Sequence, residues 1–146
     1  MQEKIGIAAD HAGFELKEKV KEFLEQRGWK VVDFGTESEE SCDYPDFAHK
    51  LGTAMDSGGL DRGIAICGSG NGICMTMNKH RSVRAILAWN RELAVLGRSH
   101  NDANVLCLPA RFIETELALE LTVVFLDTAF EGGRHGRRVG KIGSGD

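Results

Sequence analysis

A cysteine stands where an apolar run breaks into glycines: Ile64-Ala65-Ile66-Cys67-Gly68-Ser69-Gly70-Asn71-Gly72. The run up to Cys67 has strand character, and a helix-compatible stretch follows from Ile73 to Asn78. Backbone N–H groups in such a turn point at an anion or a developing oxyanion, and the helix start adds partial positive charge. Glycine permits close approach and positive φ. The same field favours an accessible thiolate on Cys67. One short stretch therefore offers a base or nucleophile beside an oxyanion cradle.

Each part of that stretch also has a plainer reading. Cysteine is common in buried strands as a small hydrophobe, and Gly68 to Gly72 could be a tight structural turn. Nucleotide binding fits poorly. The glycines at 68, 70 and 72 leave Ile73 where the dinucleotide fingerprint has its third glycine, and the loop follows the third strand rather than the first. No Gly-Lys-Ser/Thr follows to make a P-loop.

Three other segments carry chemistry. Asp10-His11 closes the first strand and can cap a turn, or bind hydroxyls and move protons. His100-Asn101-Asp102-Ala103-Asn104 precedes an apolar strand; Asn and Asp favour turns, but a histidine is less expected there. The run Gly132-Gly133-Arg134-His135-Gly136-Arg137-Arg138 is basic in an acidic chain. It reads either as a disordered tail or as a helical turn whose Arg134 and Arg138, four apart, grip one phosphate.

Alternating strands and helices position these residues. Strands are expected at Lys4 to Ala9, Lys30 to Phe34, Arg62 to Cys67, Val83 to Ala88 and Val105 to Leu108. Helices are expected from Phe14 to Gly28, from Tyr44-Pro45 to Met55, from Asn90 to Leu96 and from Glu114 to Thr128. This pattern predicts an α/β fold with a five-stranded parallel sheet covered on both faces. Right-handed crossovers put Asp10-His11 and Cys67 to Gly72 at the carboxyl edge, where ligands bind. The His100 segment falls at the opposite edge, so it serves such a site from elsewhere, for instance from another subunit.

The 146 residues suit one domain, with 42% hydrophobic and 27% charged residues. A net charge of −4 gives no basic field for nucleic acid. No apolar run is long enough to cross a bilayer, and the chain enters a strand almost at once, which argues against a signal peptide. Cys42, Cys67, Cys74 and Cys107 form no C-x-x-C pair or zinc spacing, so reduced thiols in a cytoplasmic protein are expected. Outside Cys67 they read as packing or bystander thiols.

Taken in order, Asp10-His11-Ala12-Gly13, Asp43-Tyr44-Pro45, Cys67 to Gly72, His100 to Asn104 and Gly132-Gly133-Arg134-His135 resemble one family over nearly the whole chain. It is the family of ribose-5-phosphate isomerase B and the galactose-6-phosphate isomerase subunits. The resemblance implies a Rossmann-like three-layer sandwich that binds no dinucleotide. It implies a phosphosugar aldose–ketose isomerase with no metal and no cofactor. It also implies a homodimer or homotetramer with active sites across subunit boundaries, the segment 129–146 contacting a partner.

Carried onto this sequence, the resemblance makes Cys67 the base that moves a proton between C2 and C1. Some members use a glutamate after the glycine loop, where this chain has Ile73. Ser69 and His100 would assist ring opening. Asp10 and His11 would hold sugar hydroxyls or phosphate, with Tyr44 nearby, and Asn101 would bind substrate. Backbone at Gly68, Gly70, Asn71 and Gly72 would stabilise the enediolate. Arg111, Arg134 and Arg138 would hold the phosphate. A 6-phosphohexose such as allose 6-phosphate or galactose 6-phosphate is the alternative substrate. A non-catalytic phosphosugar sensor on the same scaffold is the alternative of a different class.

Overall fold

The computed structural model describes residues 3–145, so residues 1, 2 and 146 of the expected domain lie outside the described residues. The elements run β1 (Lys4–Ala9), α1 (Phe14–Gln26), β2 (Lys30–Asp33), α2 (Tyr44–Asp56), β3 (Gly63–Cys67) and α3 (Asn71–Met77). Then follow β4 (Ala85–Leu87), α4 (Arg91–Ser99), β5 (Val105–Pro109), α5 (Thr115–Asp127) and α6 (Arg134–Ile142).

All strand pairs are parallel, in the order β2-β1-β3-β5-β4. β3 and β5 are buried at every position, as expected of strands covered on both faces. On one face Ile5, Ile7, Ile64, Ile66, Leu106 and Leu108 pack under α1, α4 and α5. On the other, Ala8, Ala65, Cys67, Val105 and Cys107 pack under α2 and α3. The result is the expected three-layer α/β sandwich with a five-stranded parallel sheet.

Local chemistry sets the element ends. Leu16, Val20 and Leu24 recur every four residues as the buried stripe of α1. Gly28, at φ +92°, then ends the helix. The Trp29 N–H donates to the Leu24 carbonyl and the Gly28 N–H to that of Glu25, the paired bonds of a Schellman stop. Pro45 sits in the first turn of α2, where its missing N–H costs nothing.

Two expectations need correction. α3 begins at Asn71, so Asn71 and Gly72 form its first turn rather than a loop. α4 runs to Ser99 rather than Leu96. Gly97 does not break it, because that glycine lies against Ile86, where a side chain would collide. Of the two readings of the basic run, the helical one holds: residues 134–142 form α6, and Arg134 and Arg138 share one of its faces.

The chain leaves β1 toward β2 on one side and returns to place β3 on the other. The carboxyl ends of β1 and β3 therefore flank a topological switch point, the usual ligand crevice of such sheets.

Candidate active site

Backbone bonds bring the β1 and β3 ends together at this switch point. The Asp10 N–H donates to the Ile66 carbonyl at 3.2 Å, and Gly13 packs directly on Ile66. Cys67 is 4% exposed, so its thiol is less accessible than the sequence implies. It lies in register with Pro109, and beyond it the Ala110 N–H donates to the Cys67 carbonyl at 2.9 Å. The Arg111 N–H reaches the Gly68 carbonyl at 3.0 Å. A Cβ built on Gly68 would lie 3.2 Å from Arg111 Nη1, so the guanidinium lies across this glycine.

The turn after Cys67 is shaped by steric need. Gly70 has φ +76°, and a side chain there would enter Leu87. A side chain on Gly72 would strike the ring of Tyr44, the first residue of α2. Ser69 is exposed and its Oγ accepts the Asn71 N–H at 3.2 Å. That donor is thus already engaged, while first-turn N–H groups in general lack intrahelical acceptors.

Asp10 is 6% exposed, and its Oδ1 accepts the Gly13 N–H at 3.1 Å, closing the turn into α1. His11 Nδ1 accepts the Cys42 N–H at 3.1 Å, with the Cys42 thiol 3.9 Å away. Cys42, read as a bystander, therefore touches a candidate site residue. Cys107 is fully buried, and burial first, then its neighbour Cys74, pushes its thiol well up. The Cys107 contact holds Cys74 below the ordinary thiol value.

The remaining candidates gather elsewhere. His100 caps the C-terminus of α4 ahead of β5, at the amino edge of the sheet. Cys67 and His100 are separated by about the length of a strand, ~16 Å for five residues. The His100 ring stacks on His135, with centroids 4.0 Å apart and planes inclined 14°. Asn101 is exposed beside it and lines a groove with Arg84, Ile86 and Ile142 of α6. Arg134 and Arg138 are exposed on α6.

His135 was not singled out from the sequence, and only its place in the Gly-Gly-Arg-His run marks it. It is 7% exposed, and among the described residues its Nε2 has no hydrogen-bond partner, the Glu131 carboxylate lying 3.7 Å away. Burial, His100 and Arg134 lower its pKa. His100, Glu131 and His135 offer donor atoms within 4.8 Å of one another. Rings inclined by only 14° direct their lone pairs along near-parallel planes, so one ring must rotate before both can bind one ion. No helix among the described residues is long and apolar enough to cross a membrane.

A parallel α/β sheet with a cysteine, a glycine turn and an arginine at its switch point is an enzyme-type scaffold with an anion-receptive edge. The chain belongs to the Ribose/Galactose Isomerase family, whose model matches residues 5–142. It is 42% identical over 139 residues to the ribose-5-phosphate isomerase B of Escherichia coli, covering 95% of this chain and 93% of the relative. The crystal structure of a ribose 5-phosphate isomerase from Thermotoga maritima matches with TM-score 0.96 and 50% identity, over 99% of this chain and 100% of that one. Ribose-5-phosphate isomerase B from Mycoplasma genitalium, solved with bound ribulose-5-phosphate, matches with TM-score 0.94 and 41% identity, over 99% and 96% of the two chains.

Proposed function

We propose that this chain is an aldose–ketose isomerase, a single domain that interconverts ribose 5-phosphate and ribulose 5-phosphate through an enediolate. The observation that carries the reading is Cys67 beside the Gly68–Gly72 turn at the switch point. It is supported by the fold shared with the Mycoplasma genitalium enzyme that holds ribulose-5-phosphate.

The open-chain aldose loses its C2 proton to the Cys67 thiolate. The C2–H electrons form a C1–C2 double bond, and the carbonyl electrons move onto O1. Preorganised N–H groups of the turn receive that charge, which is worth about 3–4 kcal/mol per donor in comparable oxyanion sites. The proton returns to C1, a proton passes from O2 to O1, and the ketose results.

Before this, the furanose must open. His100 and Ser69 assist: as the C1–O4 bond breaks, O4 takes up a proton, the O1–H proton leaves and its electrons form the C1=O1 carbonyl. Asp10, His11, Tyr44 and Asn101 hold hydroxyls. Arg111, Arg134 and Arg138 anchor the phosphate, whose binding energy fixes orientation away from the reacting carbons.

These roles need both groups of residues at once, and one chain holds them at opposite edges of its sheet. The reading therefore includes a cytoplasmic homodimer or homotetramer in which the His100 and α6 group of one copy, within the segment 129–146 and its neighbour at 100–101, completes the Cys67 edge of another.

The test is isomerisation of ribose 5-phosphate in EDTA, with allose 6-phosphate and galactose 6-phosphate in parallel and Cys67→Ala as control. Pentose turnover that survives EDTA and vanishes in the variant supports the reading. Preference for a hexose keeps the chemistry and changes the substrate. Silence on all three by folded protein favours a sensor.

A further inference from the structure

Arg98 is 5% exposed, although a guanidinium is costly to bury unless it is fully paired. Its partners lie on both chain segments that build the amino-edge group. Nη1 donates to Asp102 Oδ1 at 3.1 Å and to the Ala103 carbonyl at 2.6 Å. Nε donates to the Thr128 carbonyl at 3.1 Å. Thr128 ends α5 and begins the segment that leads to α6. One buried cation thus joins the His100–Ala103 turn to the strand of chain that carries His135.

Asp102 is the complementary half. Its φ is positive, +48°, a conformation Asp and Asn tolerate better than other side chains. Its N–H donates to the Arg98 carbonyl at 3.2 Å. Arg84 holds it from the other side, with Nε on the Asp102 carbonyl at 2.8 Å and Nη2 on Oδ2 at 3.3 Å. The backbone is therefore held around a fixed carboxylate, and His100 and Asn101 immediately precede it in the chain. Two further ties join the segments: the Glu131 N–H donates to the Ser99 carbonyl at 3.0 Å, and the His100 ring stacks on His135.

We infer that Arg98 and Asp102 are positioning residues that hold the His100 ring in register with His135 for the ring-opening step. The inference rests on the isomerase reading and deepens it. Neither residue touches substrate. The brace acts through the spacing of two loops, and a misplacement of about 1 Å far from the chemistry can cost about a hundredfold.

Deuterium exchange separates this role from simple stability. In deuterium oxide, an enediolate formed from ribulose 5-phosphate can return to ketose with deuterium at C1. That return uses Cys67 but no ring step, because a ketopentose phosphorylated at C5 stays open. Net conversion of ribose 5-phosphate, a furanose in solution, to ribulose 5-phosphate also uses the ring step at His100. The ratio of C1 exchange to net conversion therefore reports ring handling alone.

The variants are Arg98→Lys, which keeps charge but loses the planar fork, and Asp102→Asn, which keeps shape and tolerance of positive φ. Both are first checked by circular dichroism and thermal melting. For folded Arg98→Lys the ratio should rise about tenfold over wild type, within the range of general acid–base contributions, with a smaller rise for Asp102→Asn. An unchanged ratio in both variants, whether the rates fall together or not at all, overturns the brace. A wild-type protein silent on both pentose phosphates overturns the isomerase reading and the brace with it; the wild-type arm tells that failure from the first.

Discussion

The backbone N–H of Cys42 donates to Nδ1 of His11 at 3.1 Å, tying the β2–α2 loop to the end of β1. An imidazole nitrogen that accepts a hydrogen bond carries no proton in the neutral ring, so the proton sits on Nε2. His11 is thereby preset as a donor toward a sugar hydroxyl or phosphate oxygen. Long-range 1H–15N correlation spectra at pH 8 should show His11 as the Nε2–H tautomer. An Nδ1–H pattern would break the assignment of His11 as a donor.

Gly70 is the glycine of the turn that accepts substitution least. Its φ of +76° disfavours any side chain, and a methyl there meets Leu87. Gly70→Ala should cost about 1–3 kcal/mol of stability from strain and overpacking. Activity should fall at least tenfold, because the same peptide lines the proposed oxyanion cradle. Denaturant unfolding and kcat measured together check this; unchanged kcat would exclude Gly70 from the cradle.

A second polar cluster lies away from the proposed site. Asp56 accepts Ser82 Oγ at 2.6 Å and the Ser82 N–H at 2.9 Å, and lies 2.9 Å from His80 Nδ1. The Ser82 hydroxyl, the Ser82 N–H and His80 hold its carboxyl down at about 2, against an ordinary 3.8. A depressed carboxylate pKa stabilises the fold above the unfolded value and loses that contribution as pH falls through the folded one. Ser82→Ala removes the first of these donors. Its stability deficit relative to wild type should be full above pH 4 and close as pH approaches 2. Urea unfolding at pH 2, 3, 4.5 and 7 measures the gap; a gap constant across that range would contradict the coupling.

Arg138 is exposed on α6, on the face it shares with Arg134. If both grip the phosphate, Arg138→Ala removes binding shared by ground and transition states. KM should then rise about tenfold or more with kcat little changed, the signature of lost uniform binding. Steady-state kinetics on ribose 5-phosphate would show it, and an unchanged KM removes Arg138 from the phosphate site.

The layer architecture and the Cys67 edge were legible because they are local. β1, β3 and β5 read as short apolar runs, and Gly28 marked a stop that the Schellman bonds bear out. The order that inserts β5 between β3 and β4 was not legible, since pairing Val105 with Gly63 and Ala85 is a long-range choice. α6 was legible only as one of two readings of its run, through the four-residue spacing of Arg134 and Arg138. Gly136 and Gly140 weaken its intrinsic helix preference; burial of His135 against His100 and the Glu131–Ser99 bond supply anchors that no window of sequence displays. The separation of His100 from Cys67, by contrast, followed from strand direction alone.

That separation gives the sharpest prediction about assembly. Cys67→Ala and His100→Asn should each be nearly inactive, with losses on the order of a hundredfold or more. In a heterodimer of the two, one site receives both lesions. The other pairs an intact Cys67 from one copy with an intact His100 from the other. Random remixing of equal amounts makes about half the dimers mixed, so about a quarter of all sites become complete. Unfolding and refolding the two variants together should restore about 25% of wild-type activity, and refolding each alone should restore none. Activity that stays at the level of the separate variants, with mixed dimers verified by mass, would mean that each site takes its cysteine and histidine from one chain. The strand-length gap between them would then have to close by a rearrangement of the α4–β5 turn.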